Sequence, residues 1–76
     1  MSNIQQKSMN RLKVVLAEKQ RTNRWLAEQI GKTETTVSRW CSNKSQPSIH
    51  QLNEIARMLD VEVRSLICPS KEAVNV

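Results

Sequence analysis

Apolar residues along this chain recur at intervals of three and four and do not alternate, so the pattern predicts helices joined by short turns and no strands. Leu12, Val15 and Leu16, continued by the stem of Lys19, predict a first helix from about Met9 to Gln20. Leu26, Ala27 and Ile30 give the buried face of a second, Asn23 to Ile30, capped by Thr22 and stopped by Gly31. Thr33 caps a third, Glu34 to Ser42, with Val37 and Trp40 facing inward. Asn43, able to take the left-handed conformation, ends it. Ser48 and Gln51 make a capping box and Pro47 forbids continuation, so a fourth helix starts near Ile49 with Leu52, Ile55, Ala56 and Leu59 buried. Val61, Val63, Leu66 and Ile67 predict a last short helix ended by Pro69.

The only glycine of the chain stands between the second and third helices. Two short helices meeting steeply need a positive φ at the corner, and glycine adopts it at least cost. The run TNRWLAEQIGKTETTVSRWC therefore reads as a helix-turn-helix. Ala27 suits that reading, because a larger side chain just before the turn would push the third helix away. Taken alone, it is equally an ordinary helix former.

Seventy-six residues, 38% of them hydrophobic, make one small domain. The expected limits are an N-terminal arm at 1–8, the domain at 9–67 and a C-terminal tail at 68–76. Net charge is +5 overall, but residues 1–44 carry nine Lys and Arg against three acids, and 45–76 carry three against four. The positive half is the half that holds the helix-turn-helix. DNA would bind such a face by counterion release, and a membrane surface or an acidic protein could do so less specifically. Aromatic content is two tryptophans, too few for the stacking platforms of single-strand readers.

The opening residues lack an apolar signal core and the longest apolar run, Val14 to Ala17, is far too short for a bilayer, so a cytoplasmic protein without membrane partners is expected. Cys41 and Cys68 read as half-buried reduced thiols. With His50 they include no close-spaced pair of the kind that holds zinc, so no metal and no cofactor is expected. Paired catalytic carboxylates and a glycine-rich phosphate cradle are absent from the sequence, which argues against an enzyme, and no small-molecule effector is evident.

The outward face of the third helix offers Glu34, Thr35, Thr36, Ser38 and Arg39 as candidates for contact with base edges in a major groove. Arg39 leads, because a guanidinium forms two parallel hydrogen bonds with guanine. Glu34 could accept from cytosine N4, although stabilising the helix start is the preferred reading. Asn23, Lys32, Thr33, Ser42 and Lys44 are candidates for the sugar-phosphate backbone. Trp25 can pack between the first two helices, the preferred reading, or lie against the sugar-phosphate edge.

Leu12 and Val15, LAEQIG at 26–31, Thr33, VSRW at 37–40, Lys44, Pro47-Ser48 and the stretch LDVEVRSLI ending at Ile67 together resemble the lambda-repressor-like, Cro-type or XRE-type helix-turn-helix family of small bacterial and phage regulators. The resemblance covers about residues 9 to 67. It implies an all-α, compact five-helix bundle whose third helix lies in the major groove of double-stranded DNA, acting as a homodimer. By position it makes Glu34, Thr35 and Arg39 base-facing, and Asn23, Lys32, Thr33, Ser42 and Lys44 backbone-facing. Gln20 replaces a common glycine, Arg21 a frequent apolar residue, and Trp25 a usually polar one. The expected function is a transcriptional repressor on a palindromic operator. An antitoxin and a protein-interaction module that keeps the bundle without binding DNA are the alternatives. Dimer contacts would come from the loop and from Val61 to Ile67, side chains that the monomer core could equally consume.

Overall fold

A computed structural model describes residues 9–68. The chain forms α1 (Leu12–Glu18), α2 (Asn23–Ile30), α3 (Glu34–Cys41) and α4 (Ile49–Leu59), followed by a single 3₁₀ turn, Val63–Leu66. α3 packs against α2 and α1, α4 against α2, and the 3₁₀ turn against α4 and α1. Leu12, Leu26, Val37, Ile55 and Leu66 are fully buried at the centre, surrounded by Val15, Leu16, Ala27, Trp40, Leu52, Ala56 and Leu59. Ile30, Val61 and Val63 lie half-buried at its edge.

The predicted N-caps all form. Thr22 Oγ1 accepts from the Trp25 amide at 3.0 Å and Thr33 Oγ1 from that of Thr36 at 3.1 Å. Ser48 and Gln51 exchange the two bonds of a capping box. Each satisfies amides that the first helical turn leaves without partners.

The C-termini repeat one device. Each α-helix ends in a residue with positive φ: Gln20 at 58°, Gly31 at 70°, Asn43 at 60° and Asp60 at 59°. The following amide returns to a carbonyl five residues back: Arg21 to Leu16, Lys32 to Ala27, Lys44 to Arg39 and Val61 to Ala56, at 2.9 to 3.0 Å. This pattern closes a helix on its last carbonyls. Glycine occupies one of the four corners, so the steep turn needs the left-handed conformation and not glycine as such.

A Cβ added at Gly31 would meet nothing within 4 Å. Its cost is then all backbone. Gly31→Val is expected to destabilise by about 1–2 kcal/mol, the cost of a left-handed L-residue, and Gly31→Asn by less. Thermal unfolding followed by circular dichroism checks this, and an unchanged midpoint for the valine variant would contradict it.

Two predicted elements are corrected. The first helix begins at Leu12 and not at Met9, because Asn10 pairs with Ile67 in an antiparallel β-bridge and its Oδ1 accepts from the Leu12 amide at 2.9 Å. Lys19 is exposed at its C-cap and does not extend the buried stripe. The expected fifth helix is the 3₁₀ turn, making four α-helices among the described residues. Asp60 in the left-handed region and Ile67 in the bridge leave six residues between them, of which Val63–Leu66 wind into the turn. Ile67 is accordingly 42% exposed. Pro69, the arm at 1–8 and the tail from 69 lie outside the described residues.

Asn10, a buried polar residue, joins the chain's beginning to the end of α3. Its Nδ2 donates to the Trp40 carbonyl at 3.0 Å and to Gln46 Oε1 at 2.8 Å. In return Asn43 Oδ1 accepts from the amides of Met9 and Asn10, at 2.9 and 3.0 Å, and from Gln46 Nε2 at 3.1 Å. A buried amide side chain is tolerated only when so satisfied.

Candidate nucleic-acid interface

Val37 and Trp40 anchor the inner face of α3, which leaves Glu34, Thr35, Ser38 and Arg39 exposed on the outer one. These four and Asn23, from the first turn of α2, line one open depression. Side chains that the sequence divided between base and backbone thus meet in one place. Thr36 stands apart: it is half-buried and its hydroxyl accepts from that of Thr33 at 3.0 Å.

Lys32 and Thr33 are exposed where α3 begins, and Ser42 and Lys44 where it ends. The ends of the helix therefore carry a lysine each. The Ser42 hydroxyl donates back to the Ser38 carbonyl at 3.0 Å, so toward solvent it offers lone pairs.

Among the described residues, carboxylates lie within ion-pair distance of Arg24, paired with Glu28 at 3.6 Å, of Arg64, paired with Glu62 at 2.8 Å, and of His50 beside Glu54 at 3.6 Å. Lys13, Lys32, Arg39 and Lys44 have no such neighbour in that set. Cations around a polar, short-chained face, without a carboxylate partner among the described residues, suit a polyanion.

The Arg21 guanidinium lies 4.5 Å from the centroid of the Trp25 indole, a cation–π pair that covers the half-buried ring. Trp25 also packs against the core.

Lys13 was not among the sequence candidates, and the structure brings it to this face. With Asn23, Ser38, Cys41 and Ser42 it lines a second depression beside the first. Periodicity shows only that Lys13 is off the buried stripe of α1; which helix lies alongside is a matter of packing. Burial pushes the Cys41 thiol up from its ordinary pKa, and the Lys13 ammonium acts in the opposite sense. No described helix is long and apolar enough to cross a membrane.

The sequence model of the Cro/C1-type HTH DNA-binding domain matches residues 11–69. A crystal structure described as that of "a putative DNA-binding protein from Bacteroides fragilis" is similar to this chain, with 68% identity and a TM-score of 0.78, over 79% of this chain and 97% of that one. No curated protein matches.

Proposed function

Because this chain belongs to the family of Cro/C1-type helix-turn-helix DNA-binding domains, we propose that it is a sequence-specific transcriptional repressor that reads a palindromic operator as a homodimer in the cytoplasm. α3 enters the major groove with Glu34, Thr35, Ser38 and Arg39 toward base edges, and Thr36 contributes its methyl at the margin. Asn23, Lys32, Thr33, Ser42 and Lys44 face the sugar-phosphate strands. The observation that carries this reading is the common depression of Asn23, Glu34, Thr35, Ser38 and Arg39, with an exposed lysine at each end of the helix.

The roles follow from chemistry. A guanidinium reads guanine O6 and N7 together, threonine offers a hydroxyl and a methyl, and lysines grip phosphate without regard to sequence. The loop and residues Val61 to Ile67, of which Ile67 is exposed and Val61 and Val63 are half-buried, are proposed for the dimer contact.

Selection of bound duplexes from a random library tests specificity and symmetry together. The expected product is an inverted repeat with half-sites about one duplex turn, roughly 34 Å, apart. With four to six phosphate contacts per subunit, the logarithm of the binding constant should fall against that of salt with a slope of about −4 to −5 per subunit. A flat salt dependence and no enriched sequence would reject DNA reading in favour of a protein-interaction module.

A further inference from the structure

Asn43 stands in the left-handed region at φ 60°, which an L-residue enters at a cost and asparagine more readily than most. Both ends of its side chain are engaged: Oδ1 accepts from the amides of Met9 and Asn10 and from Gln46 Nε2, and Nδ2 donates to the Asn10 carbonyl at 3.4 Å. The corner so held is the one that closes α3, because the amides of Lys44 and Ser45 both return to the Arg39 carbonyl, at 2.9 and 3.4 Å. Lys44, exposed just past it, takes its direction from this corner.

The residue opposite is Asn10, 5% exposed. Its Nδ2 donates to the Trp40 carbonyl, which the Asn43 amide also reaches at 3.1 Å, so one side chain ties the last turn of α3 to the corner beyond it. The start of α1 needs only an acceptor here, and Oδ1 supplies it to the Leu12 amide. Nδ2 has separate partners, the Trp40 carbonyl and Gln46 Oε1. An aspartate would set a carboxylate oxygen against that carbonyl, and a serine would fall short of it. The donor half of the amide therefore serves the far end of α3 and not the beginning of α1.

Resting on the DNA-reading assignment, we propose that buried Asn10 is a positioning residue for the phosphate grip of Lys44. It acts through Asn43: by holding the left-handed corner against the Trp40 carbonyl, it fixes the direction in which Lys44 leaves the end of α3. Without it the corner is free to unwind, and part of the binding free energy goes to ordering the lysine. Lys32, at the other end of α3, follows the Gly31 corner and returns its amide to Ala27, so it stands outside this network.

A double-mutant cycle on the full chain tests this, read by fluorescence anisotropy with labelled selected and random duplexes over a series of KCl concentrations, at a temperature where urea unfolding shows each variant folded. Asn10→Ser keeps an oxygen for the Leu12 amide and withdraws the donor from Trp40 and Gln46. It is expected to weaken both duplexes about three- to tenfold and to make the salt slope shallower by about 1, as for one lost phosphate contact. Lys44→Ala should do the same in the unsubstituted chain but add less than about twofold in the Asn10→Ser background, whereas Lys32→Ala should cost the same factor in both. Equal factors for Lys44→Ala in the two backgrounds, a loss for Asn10→Ser with the slope retained, or no effect of Lys44→Ala on the unsubstituted chain would each overturn the proposal and leave DNA reading intact. So would non-additivity shared by Lys32, which marks a general loosening. Gln46 is exposed, so Gln46→Ala decides the matter where Asn10→Ser does not fold: it removes an acceptor from Asn10 and a donor from Asn43, and its effect should likewise fail to add to that of Lys44→Ala, full additivity overturning the proposal. Failure of the unsubstituted chain to bind either duplex would instead remove the reading on which the proposal rests.

Discussion

Trp40→Ala is expected to cost about 3–5 kcal/mol, the range for truncating a buried aromatic side chain. Trp40 is 4% exposed on the inner face of α3 and belongs to the one continuous core. Folded domains carry only about 0.05–0.15 kcal/mol of stability per residue, so a loss of this size consumes much of the total. Urea unfolding followed by circular dichroism measures it directly, and Trp25 remains as a fluorescent reporter in the variant. The midpoint should fall by about 1 M or more, given urea slopes of roughly 1–3 kcal/mol per molar for small proteins. A cost below about 1 kcal/mol would mean that the helix is held by something other than this side chain, since ordinary surface changes stay within about ±0.5 kcal/mol. Duplex binding must be measured well below the midpoint, because an unfolded fraction would imitate lost contacts.

The second large effect is confined to recognition. Arg39→Ala should reduce affinity for the selected duplex by about 1–3 kcal/mol, which is roughly 5- to 150-fold, and change affinity for a random duplex much less. Lys44→Ala should weaken the two alike. Arg39 has no carboxylate partner among the described residues, so removing it leaves no orphaned charge in the protein, and the melting temperature should hardly move. Equal losses for the two substitutions on both duplexes would contradict the division into a reader and a grip. The selected sequence is also expected to lose its preference for guanine at the position facing residue 39, which repeating the selection with the variant would reveal.

Much of the fold could be read from residue order because its signals are local. α2 is found over the predicted residues and α3 one residue shorter at its end. Thr22, Thr33 and Ser48 cap as expected because a hydroxyl that accepts an amide two or three residues on needs nothing from the rest of the chain. The errors occur where distant segments decide. The start of α1 is set by the pairing of Asn10 with Ile67, 57 positions along, and no helical periodicity encodes a bridge. The left-handed corners at Gln20 and Asp60 were equally hidden, since glycine is the residue that announces such a corner. In the site the same boundary holds. The exposed face of α3 was legible from Val37 and Trp40 being inward, but the approach of Asn23 and Lys13 to it depends on three helices packing together.

The bridge between Asn10 and Ile67 also decides how the domain responds to tension. Met9 and Cys68 lie on the same side of it, so a force drawing the two chain ends apart peels its bonds in succession, Cys68 N–H to Met9 O at 3.2 Å before Arg11 N–H to Leu66 O at 2.8 Å. Shearing both together would resist far more. As Met9 and Asn10 lift away, Asn43 Oδ1 loses two of its three donors and the Trp40 carbonyl loses Asn10 Nδ2. A load applied remote from the duplex would thus arrive at the last turn of the helix that reads it.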